Sequence, residues 1–181
     1  MVSESPTYLG NVTIPNDASN VLNADGITAA RHAVRVVIAA ADAFSRADNW
    51  AIAEVTYDRA IELASSIDDH DGVGVAAANA VDMGLRRGGP GLDHARQVAE
   101  WLLAIGDPAT HRAGEQQLTA VAERAATDGD AVVLRKCLEA AYRATSVAKV
   151  EGPQLSTRWP ETVEMLEGKV RSNRPVESPA N

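Results

Sequence analysis

The sequence is poor in cysteine, aromatic residues and positive charge. Its single cysteine, Cys137, excludes an internal disulfide bond and a cysteine-based zinc site. Aromatic residues make up 4% of the 181 residues, whereas alanine occurs 33 times, a composition that favours packed helices over sheets. The net charge of −8 disfavours nucleic acid as a partner, because a phosphate-backbone binder normally carries a basic surface. These features predict an all-α, acidic protein that folds without metal or disulfide.

Long hydrophobic runs are also missing. The longest apolar run, residues 36–41, is much shorter than the roughly 20 residues that span a bilayer. Residues 1–20 lack the basic and apolar regions of a secretory signal. We therefore expect a cytoplasmic protein without a membrane partner.

Apolar residues recur at helical spacing in six segments. The pattern predicts helices over residues 24–48, 50–67, 73–87, 92–105, 108–127 and 131–147, and a seventh helix over 159–170. Glycine and proline clusters separate several of them, with glycine after a helix end and proline at the next helix start. The predicted organisation is an irregular N-terminal arm (1–23), a helical-hairpin array (24–150), a linker with a C-terminal helix (151–172) and a disordered tail (173–181).

The second helix of each predicted pair repeats a seam of small or apolar residues. Ala53, Ala95 and Val133 can be aligned at spacings of 42 and 38 residues. Positions four and seven residues further along each helix are again mostly small or apolar. Because one hairpin cannot bury its apolar face alone, such a pattern predicts hairpins that stack on one another.

This seam resembles that of the tetratricopeptide-like helical repeats over about residues 28–147. The first unit carries the resemblance through Phe44, Ala53, Tyr57 and Ala60, the second through Gly84, Ala95 and Pro108, and the third through Gly129, Asp130 and Ala140. The resemblance implies three stacked antiparallel helical hairpins in a right-handed array, followed by the C-terminal helix. The alternative is an irregular helical bundle.

No residue pattern indicates a catalytic site, so we predict no catalytic residue, metal or cofactor. Cys137 lies on an apolar seam, where a small core side chain is expected. The four histidines lack the i, i+4 spacing with glutamate that marks a helical zinc site. Residues 68–72 are acidic but lack the carboxylate spacing of a calcium loop, which favours a solvated turn.

The preferred functional hypothesis is a non-enzymatic interaction or adaptor module that binds a protein or peptide partner. By analogy with the tetratricopeptide-like family, the first helix of each hairpin lines the binding groove. That face carries the candidate partner-binding residues Arg35, Asp42, Arg46, Asp82, Arg86, Glu115 and Thr119.

Two alternatives remain open at this point. One is a helical enzyme or enzyme subunit with a pocket between helices. The other is a regulator that contacts nucleic acid through a local basic surface formed by Arg86, Arg87, Arg96, His111 and Arg112. The sequence also leaves open a homo-oligomer.

Overall fold

A computed structural model describes residues 7–9, 12–14, 24–105, 108–151 and 159–172. Over this part of the chain the fold is all-α, as predicted. The seven helices are α1 (Ala24–Arg46), α2 (Trp50–Ser66), α3 (His70–Arg87), α4 (Pro90–Ala104), α5 (Pro108–Asp128), α6 (Ala131–Glu151) and α7 (Trp159–Ser172). The predicted disordered tail and most of the linker before α7 lie outside the described residues.

The N-terminal arm contains one element that the sequence analysis missed. Strands β1 (Thr7–Leu9) and β2 (Val12–Ile14) pair antiparallel, with Tyr8 opposite Thr13. The arm was expected to be irregular throughout, yet both segments are rich in β-branched or large apolar residues, which suit strands. The Gly-Asn pair between them in the sequence is a hairpin signal that was overlooked.

The helices pack in sequence order and in two groups. Each helix contacts the next one along the chain, while α1 also contacts α3, α3 contacts α5, and α5 contacts α7. On the other side, α4 contacts α6, and a bond between Asp58 and His94 links α2 to α4. We call α1, α3, α5 and α7 the odd helices and α2, α4 and α6 the even helices. One apolar core, largely of alanine, leucine and valine, runs between the two groups.

Three of the connections between helices share one backbone geometry. A single residue with positive φ follows the helix end: Asp48 (56°), Asp68 (54°) or Gly129 (73°). The next residue donates its backbone N–H to the carbonyl five residues back, as in Asp69 to Ala64 at 2.9 Å and Asp130 to Ala125 at 2.8 Å. These bonds form the Schellman motif, which satisfies carbonyls at the helix end.

The Schellman turns explain why α3 begins earlier than predicted. Residues 68–72 were expected to form an extended turn because they are acidic and end in glycine. One residue with positive φ is enough to reverse the chain, so Asp69 immediately becomes the residue that precedes the helix. The helix therefore starts at His70 rather than at Val73.

Small residues allow the central helices to approach closely. A Cβ atom placed on Gly84 of α3 would lie 2.5 Å from the Gly91 carbonyl oxygen and 2.7 Å from the Ala95 Cβ atom of α4. Ala95 itself is completely buried. Ala95, which belongs to the predicted seam, thus packs against a glycine of the neighbouring helix at the crossing of α3 and α4.

Replacing Ala95 with leucine should destabilise the protein by about 1–3 kcal/mol, because the added carbons would overpack this crossing. Thermal unfolding followed by circular dichroism measures the effect. Ala104→Leu, at an exposed position of the same helix, is the matched control and should leave the midpoint nearly unchanged. Equal midpoints for Ala95→Leu and the wild type would contradict the close crossing.

The Schellman turns generate a second prediction. Glycine adopts positive φ without the steric cost that other residues incur, roughly 1–2 kcal/mol. Asp68→Gly should therefore raise the free energy of unfolding, whereas Gly129→Ala should lower it by about 1 kcal/mol. Chemical denaturation of both variants tests the geometry, and an increase in stability for Gly129→Ala would be incompatible with it.

Candidate functional site

Four of the seven predicted partner-binding residues line one depression between α1 and α3. Asp42 and Arg46 come from α1, and Asp82 and Arg86 come from α3. Within each pair the spacing of four residues places both side chains on the same side of the helix. Tyr57 of α2 and Asn79 of α3 complete the lining, and the depression has a volume of about 350 Å³.

Hydrogen bonds to Asp42 hold the bottom of this depression together. The Tyr57 hydroxyl donates to Asp42 Oδ1 at 2.5 Å, and Asn79 Nδ2 donates to the same oxygen at 3.1 Å. Tyr57 is almost completely buried. Burial, followed by the hydrogen bond and the negative charge of Asp42, raises the pKa of Tyr57 well above its usual range. The phenol therefore stays protonated and keeps donating at neutral pH.

The two arginines of the depression differ in how they are held. Arg86 lies 3.0 Å from Asp82 through its Nε atom and donates from Nη2 to the Ser45 hydroxyl at 3.0 Å. Arg46 lies at the end of α1 with an exposed side chain. Both arginines are exposed, and the Arg86 guanidinium is oriented by Asp82 and Ser45; the depression thus presents two guanidinium groups beside two carboxylates. Such an arrangement can bind a ligand that carries both acidic and hydrogen-bonding groups.

The remaining predicted residues lie elsewhere. Arg35 is exposed on α1, seven residues before Asp42, and does not line the depression. Glu115 of α5 is only 6% exposed, and its Oε1 accepts a hydrogen bond of 2.9 Å from Thr162 of α7. Thr119 donates to the Glu115 backbone carbonyl. Glu115 is therefore covered by α7, a packing that periodicity within α5 could not reveal.

Sequence reasoning assigned Tyr57 to the apolar seam and overlooked Asn79. Tyr57 does pack in the seam, but its hydroxyl also supports the floor of the depression. A tyrosine in an alanine-rich seam was itself a signal, because a buried hydroxyl normally needs a partner. Asn79 gave no comparable signal.

Cys137 lies in the core, as predicted. It is completely buried on α6, and burial raises the pKa of its thiol to about 12. The thiol is therefore protonated at neutral pH and is a poor nucleophile. In the described part of the chain no group of three or more His, Cys, Asp or Glu side chains could hold a metal ion.

Three of the four arginines proposed to form a basic surface, Arg86, Arg87 and Arg96, are paired with carboxylates, whereas Arg112 is exposed on α5. Arg87 donates to Glu54 at 2.5 Å, and Arg96 lies against Asp93 and Glu100. His111 is buried, with its Nδ1 atom 3.1 Å from the Leu103 carbonyl oxygen. Arg87 and His111 thus connect neighbouring helices, while the pairs of Arg96 lie within α4.

Replacing Tyr57 with phenylalanine should lower the free energy of unfolding by about 1–2 kcal/mol at neutral pH, because Asp42 loses a buried donor. Since the pKa of Tyr57 is higher in the folded state, its contribution is complete below the unfolded value of about 10 and is lost as the pH rises above it. Denaturation at pH values from neutral to strongly alkaline should show the two proteins converging. A difference that grows with pH would contradict this assignment.

Among the helices that the structure describes, none combines the length and apolar character needed to cross a bilayer. Comparisons of the chain with protein-family models, curated proteins and solved structures found no match.

Proposed function

We propose that this protein is a tetratricopeptide-like interaction module that binds a peptide or helix across its odd helices. The proposal includes a stacking of three hairpins, α1 with α2, α3 with α4 and α5 with α6, with α7 covering the last one. The contacts of α1 with α3, α3 with α5 and α5 with α7 support it, since such arrays bring the first helices of successive hairpins side by side.

The observation that carries the proposal is the depression between α1 and α3. Its four charged residues belong to the face that the resemblance implies for partner binding, and they line one depression. Arg46 is exposed, while Arg86 is oriented by Asp82 and Ser45. An oriented guanidinium loses less conformational entropy on binding than a free one.

The expected ligand is a peptide segment with an acidic side chain. Its carboxylate would approach Arg46 and Arg86, while hydrogen-bonding groups would meet Asp42 and Asn79 at the floor. The exposed arginine would mainly accelerate association, whereas the oriented arginine would hold the bound carboxylate. We favour a peptide over nucleic acid because the net charge is −8, and because Arg87 and Arg96 are paired with carboxylates outside the depression.

A selection from a displayed library of random peptides tests the proposal. We expect the selected peptides to be enriched in aspartate or glutamate. Arg46→Ala combined with Arg86→Ala should weaken binding of the tightest peptide by about ten-fold or more, measured by fluorescence anisotropy. Circular dichroism should show unchanged helicity, because neither side chain lies in the core.

The matched control is Arg135→Ala combined with Arg171→Ala. It removes the same charge from exposed positions of α6 and α7 and should leave the affinity nearly unchanged. Equal losses in the two double variants would show that net charge alone attracts the peptides. Binding unaffected by the α1 and α3 substitutions would show that the peptide-binding surface lies elsewhere.

A further inference from the structure

The even helices carry two clefts on the part of the molecule that the proposed peptide surface does not use. The first cleft lies between α2 and α4 and has a volume of about 270 Å³. The second lies between α4 and α6 and has a volume of about 340 Å³.

A shift of 42 residues relates the two clefts. It converts Asp58, Ile61 and Glu62 of the first cleft into Glu100, Leu103 and Ala104 of the second. The same shift converts Val98 and Trp101 into Ala140 and Arg143. The clefts therefore occupy equivalent positions in successive units, and their differences show what each can bind.

This register also makes Cys137, rather than Val133, the counterpart of Ala95 on α6. The spacing of 38 residues used in the sequence alignment differs from 42 by about one helical turn. Both registers point an apolar residue inward, and Val133 and Cys137 are both buried. Only the residues that meet across α4 and α6 distinguish the two.

In the second cleft, the negative charge of Glu100 is neutralised by an arginine of this chain. The Arg143 guanidinium donates to Glu100 from the neighbouring helix, and Arg96 also donates to this carboxylate. Glu100 is therefore fully engaged by two guanidinium groups of this chain. An arginine side chain thus bridges two helices at this position.

The first cleft keeps the acid but lacks the arginine. Asp58 takes the place of Glu100, and the Trp101 indole takes the place of Arg143. Glu62 adds a second carboxylate where the second cleft has Ala104. Among the described residues that line the first cleft, none is an arginine or a lysine. Glu62 is paired at 2.8 Å with Arg59 of the same helix, but this pair is largely exposed and weak.

The imidazole of His94 is the nearest partner of Asp58 in the first cleft. Its Nε2 atom lies 3.0 Å from Asp58 Oδ1, and because a carboxylate only accepts, Nε2 carries the proton. The His94 Nδ1 atom is buried, and none of the described residues provides a hydrogen-bond partner for it. His94 offers Asp58 a single donor, and Asp58 is 51% exposed, so the rest of its carboxylate is accessible to a ligand.

We propose that the first cleft binds an alkylguanidinium group, of the kind an arginine side chain carries. The guanidinium would lie over the Trp101 ring and pair with Asp58 and Glu62, while its alkyl chain would contact Ile61 and Val98. Aromatic rings attract cations through the negative potential of their faces, and guanidinium groups match carboxylates with two donors. The ligand therefore supplies from outside the charge that Arg143 supplies in the second cleft.

Titration of the full chain with butylguanidine tests this proposal. The indole N–H of Trp101, assigned through Trp101→Phe, is followed by two-dimensional NMR. We expect a saturable shift with butylguanidine and binding at least about ten-fold weaker for butylurea, its neutral isostere. A short blocked peptide containing one arginine is titrated in parallel. Peptide binding about ten-fold or more tighter than that of butylguanidine would assign the site to a protein partner, and equal binding to a small free guanidine.

Three substitutions make the test specific. Glu62→Gln and Asp58→Asn should each weaken butylguanidine binding several-fold, and Glu62 is 65% exposed, so its replacement leaves the core intact. Trp101→Arg, measured by isothermal titration calorimetry because this variant lacks the indole signal, should abolish binding, since the new guanidinium would pair with Asp58 as Arg143 pairs with Glu100. Glu139→Gln, an exposed carboxylate on α6, is the matched control and should not change the affinity.

Several results would overturn the proposal. They are the lack of a saturable Trp101 shift, equal affinity for butylurea, and unchanged affinity in both Glu62→Gln and Asp58→Asn. Each would show that the carboxylates and the indole do not act together on a cation.

Discussion

Close approach between small side chains is the constraint on which the rest of this structure depends. Gly84 and Ala95 bring α3 and α4 so near to each other that a single added carbon would collide with the opposite backbone. Gly114 also lies at a close approach, between α5 and α4, where a Cβ atom would lie 3.0 Å from the Ala99 carbonyl oxygen. With few aromatic side chains available, tight contact supplies the dispersion energy that larger side chains would otherwise provide. The packing of these helices therefore depends on close contact between small side chains more than on large side chains.

This constraint explains how charged residues are distributed. Because the alanine faces are used for packing between helices, charged side chains occupy partly exposed positions, where they can pair between helices. Glu54 with Arg87 and Asp93 with Lys136 are pairs of this kind. Around Glu100 the pairing is complete, because Arg96 and Arg143 neutralise the carboxylate that lines the second cleft. The pairing is incomplete around Asp58 and Arg46, and these are the two places where we propose that ligands bind.

Helix number and most helix boundaries could be predicted from the sequence because they depend on local periodicity and turn residues. The grouping of Asp42, Arg46, Asp82 and Arg86 followed from the same periodicity together with the resemblance. The burial of Glu115 could not be predicted, because it depends on where α7 packs. The register of α6 was also hidden, since a displacement of one helical turn keeps the same face inward. Contacts between distant segments, rather than patterns within one segment, decide such questions.

At three connections a single positive-φ residue follows the helix end, and this short geometry limits where residues can be inserted or deleted. With so short a connection, an added residue cannot be absorbed by a loop and must rotate the following helix by about 100°. That rotation would turn an alanine face toward water and bring charged residues into the core. Insertion of three or four residues turns the apolar face of the following helix back toward the core, but it shifts that helix along its own axis. Insertions and deletions near Asp48, Asp68 and Gly129 should therefore be tolerated in steps of about one helical turn, because only such steps keep the apolar face of the next helix in the core.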